Sequence, residues 1–165
     1  MMTKFLAAAL LLLSLGTGAP LFAAEVSYPR AKPQFTIEVP EGWKATFRAE
    51  TLLLMPNADG SYQVQIEATR EPAPERARRR AAEVKLTDFE LGTPAEAENQ
   101  HKVTQTVLTS RGQRGDAAYA LTLVAFSVGD GRYVAEAAGP ADANRKHNVA
   151  LLTMMDSIKP VAAGN

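Results

Sequence analysis

The sequence predicts an α+β domain in which a largely antiparallel sheet carries helices packed on its faces. Three observations lead there. Ala117–Val128 (AAYALTLVAFSV) is twelve residues without a charge, bounded by Asp116 and by Gly129-Asp130-Gly131. Alternate residues of a strand face opposite sides, so this run is apolar on both faces, as a central covered strand must be. A buried helix segment has the same composition, but β-branched and aromatic residues and the Gly-rich boundary favour a strand. The second observation is the order of patterns along the chain: strands, a helix, strands, a helix. The third is a closing helical stripe of His147, Ala150, Leu151, Met154 and Ile158 at i, i+3, i+4, i+7 and i+11.

The chain opens with Met1-Met2-Thr3-Lys4, an apolar run from Phe5 to Leu15, the breakers Gly16, Gly18 and Pro20, and small residues at Ala23 and Ala24. A charged start, a short apolar stretch and a small-residue end make a secretory signal peptide over residues 1–24, with cleavage near Ala23 or Ala24. An uncleaved anchor is the alternative, but a bilayer span needs about 20 apolar residues. No cysteine is present, which excludes disulfides and a lipid-modified cysteine. With 18 basic and 18 acidic residues the chain is neutral, which argues against nucleic acid as a partner. The reading is an exported protein, periplasmic or secreted, with no stable membrane span once the leader is removed.

Glu25–Pro33 is expected to be an unpatterned lead-in, and residues 34–160 a single domain followed by a tail at 161–165. Gln34–Val39 alternates with Phe35, Ile37 and Val39 on one face, and Pro40-Glu41-Gly42 has turn chemistry. Trp43 then closes one end of the core. Lys44–Arg48 and Thr51–Met55 read as a strand or a strand interrupted at Ala49-Glu50. The Pro56–Gly60 cluster contains an Asp-Gly hairpin signal. Ser61–Thr69 follows, with Tyr62, Val64, Ile66 and Ala68 inward. These strands are expected to form one antiparallel unit.

Glu71–Pro74 stops the sheet, and Glu75–Leu86 has helix composition with a thin apolar face of Ala77, Ala81 and Val84. Glu75 and Arg79 are spaced to pair at i, i+4. Thr87–Leu91 is a short strand, Gly92–Gln100 a loop and His101–Ser110 a strand. Arg111–Asp116 is expected to be the hairpin into Ala117–Val128. Gly129-Asp130-Gly131 then turns the chain into Arg132–Ala138, completing a meander. The helix from Pro140 ends at Lys159-Pro160. It is expected to cover one face of the meander, and the Ala-lined helix the other.

The stretch Phe35–Trp43 (FTIEVPEGW), the strand pair after it and a closing helix ending in Asp156-Ser157-Ile158-Lys159 resemble the PsbP-like / Mog-type fold as bacterial DcrB-like exported proteins carry it. The specific motifs occupy the two ends of residues 34–160. The resemblance implies an α/β/α sandwich, and it implies no chemistry, because such proteins are mainly binding or assembly factors with different partners.

The residues themselves point away from catalysis. His101 and His147 lie in different elements, and no His or Cys pair or Asp-rich loop has metal-ligand spacing. No cofactor is expected. Ser110 and Ser127 lie outside any Gly-x-Ser-x-Gly context. Arg111–Gly115 superficially suggests a phosphate loop but joins two strands, so no helix N-terminus gathers its amides. The unusual surface is basic, with Arg70, Arg76, Arg78, Arg79 and Arg80. Arg76, Arg79 and Arg80 share one side of the first helix, as a solvated face or as a docking patch for an acidic protein or an anionic envelope component. The leading reading is an exported non-enzymatic binding or assembly protein of the bacterial cell envelope. A small periplasmic hydrolase or ligand-binding enzyme and an immunity or inhibitor protein against an exported toxin are the alternatives.

Overall fold

Two sheets share the strands that the sequence suggests for one. The computed structural model describes residues 22–162. Strands β1 (Phe22–Tyr28), β2 (Phe35–Pro40), β3 (Trp43–Arg48), β4 (Thr51–Pro56) and β5 (Val64–Ala68) precede helix α1 (Ala73–Glu83). Then come β6 (Thr87–Glu90), β7 (Ala95–Glu98), β8 (Thr104–Arg114), β9 (Ala117–Val128) and β10 (Gly131–Pro140). Helix α2 (Ala141–Asp156) and the short β11 (Lys159–Pro160) complete the fold. The expected signal segment lies outside the described residues except for its last positions, which belong to β1.

The larger sheet has the order β3-β4-β5-β10-β9-β8-β6, with β7 also pairing β8; the smaller is β1-β2-β11. All strand pairs among the described residues are antiparallel. The meander appears as expected, β9 pairing β8 from Gln105↔Phe126 to Arg114↔Ala117 and β10 from Gly131↔Val128 to Pro140↔Tyr119. The turn between β8 and β9 is tighter than expected, because Arg111–Arg114 continues β8 and leaves Gly115 and Asp116 to reverse the chain.

The two faces of β9 lie under different elements. Leu121 and Leu123 pack with Ala73 and Ala77 of α1 and with Leu108 and Val134. Val124, Phe126 and Val128 enter the larger core with Phe35, Ile37 and Val39 of β2 and Leu151 and Met154 of α2. Each fully buried aliphatic side chain of the α2 stripe contributes about 1.5–3 kcal/mol relative to exposure. One layer is thus α1, the middle is the eight-stranded sheet, and the third combines α2 with the small sheet.

Several expectations change. The lead-in is ordered: Glu25–Tyr28 pairs with Phe35–Glu38, and Tyr28 is buried with its hydroxyl donating to the Glu50 carbonyl. Cleavage after Ala23 or Ala24 would leave this pairing intact. Ala95–Glu98 is a strand rather than loop, its four side chains exposed, so only backbone pairing with β8 defines it. Ala68 is exposed, at the end of the inward series Tyr62, Val64 and Ile66. β2 is separated from β3 because the Glu41-Gly42 turn, with Gly42 at φ +80°, sends β3 into the other sheet.

The resembling C-terminal motif has a physical account. Ser157 donates to the Met154 carbonyl and accepts from the Glu38 amide at 2.9 Å, which ties the helix end to β2. Ile158 is fully buried, and Lys159-Pro160 adds the third strand of the small sheet. Buried carbonyls at the helix end find donors too. Asn99 Nδ2 reaches the Ile158 carbonyl at 2.8 Å, and Gln105 Nε2 the Met155 carbonyl at 2.7 Å. Gly92 marks a close approach, since a Cβ there would lie 1.9 Å from the Thr109 carbonyl oxygen.

Candidate functional site

Helix α1 carries Arg76, Arg79 and Arg80 on one side, as its periodicity requires, but the three guanidiniums are occupied. Arg76 is buried beneath the helix, with Nε 2.9 Å from Glu136 Oε2 and a terminal nitrogen 2.6 Å from Glu67 Oε1. Arg80 Nε lies 2.7 Å from the other Glu136 oxygen. That contact is a charge pair rather than a well-aligned hydrogen bond, since the N–H finds no acceptor in line. Arg79 binds Glu71 through Nε and a terminal nitrogen, and it also binds Glu83. These bonds hold the Glu71 and Glu83 carboxyls below their ordinary range, and they raise Arg79.

Carboxylates from β5, β10, the segment before the helix and Glu83 of α1 itself compensate the arginine face. One expectation is corrected: Arg79 pairs with Glu71 and Glu83, not with Glu75. Glu136, on the α1 side of β10 with Val134, is the buried centre of the cluster.

Beyond the N-terminal end of α1 the sheet runs on uncovered, and there a groove of about 750 Å³ opens. Pro72, Ala73 and Pro74 form one wall, and Ala125 lies on the floor. Thr104, Thr106 and Ser127 supply hydroxyls. Cations gather around it: Arg70, Lys102 and Arg132. A second cavity of about 670 Å³ adjoins it and shares Thr69, Arg70 and Arg132. The β5–β10 pairing, continued by the Thr69 amide donating to the Arg132 carbonyl at 2.9 Å, sets Thr69 opposite Arg132, and Arg70 follows as the next residue. Both are exposed, and among the described residues neither forms an ion pair. Lys102 pairs with Glu98 at 3.0 Å.

Sequence reading noted Arg70 as one of several basic residues and missed Arg132 as a site residue. The usable signal was alternation in β10. Tyr133, Ala135 and Ala137 mark the core face, which puts Arg132, Val134 and Glu136 together on the face that α1 only partly covers.

A third grouping lies where the β4–β5 loop meets α2. His147 Nε2 is 2.9 Å from Asp59 Oδ2, and Asp59 Oδ1 accepts from the Ser61 hydroxyl and amide. The Ser61 bond first, then His147, holds the Asp59 carboxyl well below the usual carboxylate range. Trp43 and Tyr62 pack on the His147 ring at 5.6 and 5.0 Å. Tyr62 is fully buried, and loss of solvent pushes its hydroxyl up to about 12. Serine and histidine both bind the carboxylate, so no proton passes from Ser61 to His147 as nucleophile activation would need. The group straps a loop to a helix. His101 lies apart from it, in the turn where its amide donates to Asn99 Oδ1.

Among the described residues no three His, Cys, Asp or Glu side chains converge as metal ligands, and no helix is long and apolar enough to cross a membrane.

No protein-family model matches the chain, and no curated protein matches its sequence. Its backbone is similar to the solution structure of cyanobacterial PsbP (CyanoP) from Synechocystis sp. PCC 6803, with a TM-score of 0.63 at 10% identity, covering 88% of this chain and 96% of that one. A Bacteroides thetaiotaomicron crystal structure gives a TM-score of 0.50 at 14% identity, covering 80% of this chain and 47% of the other. With the element order, the two sheets and the closing Ser-Ile-Lys end already accounted for, the first of these settles the architecture: the chain has the PsbP-like fold.

Proposed function

We propose that this chain is an exported, non-enzymatic binding or assembly protein of the bacterial cell envelope, and that it receives its partner in the groove beside the N-terminal end of α1. The observation that carries this reading is the groove itself. Its volume is within the range of about 300–1,000 Å³ typical of ligand sites. It combines apolar lining and hydroxyls with arginines that have no internal use, whereas the arginines of α1 are consumed in holding the helix down. Arg76, Arg79 and Arg80 enter the reading as scaffold, since their charges are already compensated. Export is supported by the leader-like opening of the sequence, and absence of catalysis by the bonding order of Ser61, Asp59 and His147.

Site-specific photo-crosslinking in the native cell tests the proposal. A crosslinking residue at Thr106 or Ser127 should yield a discrete adduct of one partner, while the same residue at Val149 on the exposed side of α2 should not. Equal labelling from both surfaces, or none from the groove, would sink the groove as the docking surface. Fractionation of the same cells checks export, since recovery of the protein in the cytoplasm would remove the envelope assignment.

A further inference from the structure

We infer that the occupant of the groove is an acidic segment of a partner polypeptide, with carboxylates bound by Arg70 and Arg132. This inference rests on the groove being the docking surface and adds the chemistry of what docks. Charge complementarity is the first argument. The chain as a whole is neutral, so a local surplus of cations is a property of this place and not of the composition. Arg70 and Arg132 line both adjoining cavities, Lys102 stands at the rim of the larger one, and the single carboxylate lining that cavity, Glu71, is already held by Arg79. Asp130 belongs only to the smaller cavity. A planar guanidinium presents paired N–H donors that match a carboxylate, and two exposed ones lining the same pair of cavities favour a ligand with more than one negative group.

The second argument is shape. The cations surround a recess whose apolar surface includes Pro72, Pro74 and Ala125, so a chain with small apolar residues between its acids fills it better than a free ion does. A flat bilayer reaches protruding residues instead. Of the three exposed large apolar side chains among the described residues, Val149 and Leu152 lie on α2, across the sheet from Arg132, and only Val161 is near the groove, so most of the apolar surface and the cations do not share one face. Hydroxyls of Thr104, Thr106 and Ser127 can donate to carboxylate or backbone oxygens along the floor.

The test uses the exported protein and a labelled peptide of alternating Glu and Ala, its Gln-Ala counterpart, and vesicles containing an anionic lipid. The Glu peptide should bind with an affinity that falls as salt rises, and the Gln peptide should bind at least about tenfold more weakly, as expected when charge-assisted bonds are removed. R70S/R132S should lose the Glu peptide by a similar factor with an unchanged melting temperature, since both side chains are exposed and unpaired. R78S, an exposed position of α1 that lines neither cavity, should bind as the unaltered protein does. Equal binding of both peptides, undiminished binding by R70S/R132S, or arginine-dependent binding of the vesicles alone would overturn the inference. A groove crosslink to a native partner without Glu-peptide binding would overturn the acidic chemistry and leave the docking surface standing. Loss of both would remove both.

Discussion

The two faces of the eight-stranded sheet are covered in opposite ways. On the α2 side a second sheet and a helix bury large side chains: Tyr28, Phe35, Ile37, Leu151 and Met154 are all essentially inaccessible. Phe35 alone meets Phe126, Tyr133 and Tyr28 at ring distances of 5.2, 5.1 and 5.4 Å. On the α1 side the helix lies close on alanines, and a buried ion cluster replaces most of the hydrocarbon. The thick face derives its hold from apolar area, which is not directional. The thin face depends on a few charges meeting at fixed positions, and it ends where the helix begins, leaving the groove. One face builds the domain, and the other leaves a surface unfinished.

The largest effect should come from the thick face. Phe35→Ala removes an aromatic ring that joins the small sheet to the large one and should cost about 3–5 kcal/mol, read as a drop in the urea midpoint. A loss below about 1 kcal/mol, the scale of an ordinary surface change, would mean that the small sheet is peripheral and the contrast between the faces is false.

How far the sequence reveals this contrast depends on how local the cause is. β9 is legible because twelve uncharged residues require a buried element and their β-branched and aromatic content with a Gly-rich boundary favours a strand over a helix, and α2 because its stripe repeats at the helical period. β1 is not legible: among its described side chains only Val26 and Tyr28 point inward, in a stretch crowded by Pro29 and Pro33, and its partner β2 supplies the rest of the pattern. β7 has no hydrophobic signal at all, since every side chain is exposed. The arginine cluster looks like a solvated helix face because its neutralising carboxylates come from elsewhere. Glu67 is nine positions before Arg76, and Glu136 is sixty positions after it. The groove is still less local. It exists because α1 starts at Ala73, short of the end of the strands beneath it.

The ion cluster gives the second test. Glu136→Ala leaves Arg76 buried with one partner fewer and Arg80 without its inner contact. It should destabilise by about 3 kcal/mol, as breaking a buried pair from one side does. Replacing Arg76, Arg80 and Glu136 together by Met, Met and Leu should recover most of that loss, because the desolvation cost disappears with the charges. If the triple variant is as unstable as the single one, the cluster is not a substitute for hydrocarbon on this face.

Next in size is the close approach of α1. Ala77 is fully buried between the helix and Leu108, Leu121 and Leu123. Ala77→Leu should lift the helix at a cost of about 1–3 kcal/mol, typical of an overfilled core. Hydrogen exchange should show faster opening confined to α1 and its strands. Exchange that quickens equally in α2 would show that the two layers unfold as one and that their different construction has no dynamic consequence.

The smallest effect belongs to the strap on the thick face, where Asp59 joins the β4–β5 loop to His147. Its folded carboxyl is depressed, so the unfolded chain takes up the proton first as the solution is acidified. The contribution of Asp59 to stability is therefore complete above the unfolded value near about 3.9 and is lost as pH falls through the folded one. Asp59→Asn lacks this contribution at every pH. The stability gap between the two proteins should be widest near neutrality and close in acid, as followed by urea titration across pH. Glu71 and Glu83 are depressed as well and weaken both proteins alike in acid, so the difference between the curves isolates Asp59. A gap that stays constant down to strong acid would mean that the loop is held by the packing of Tyr62 and Trp43 on the His147 ring and not by the charge on Asp59. The thick face would then rely on apolar contact even at its rim.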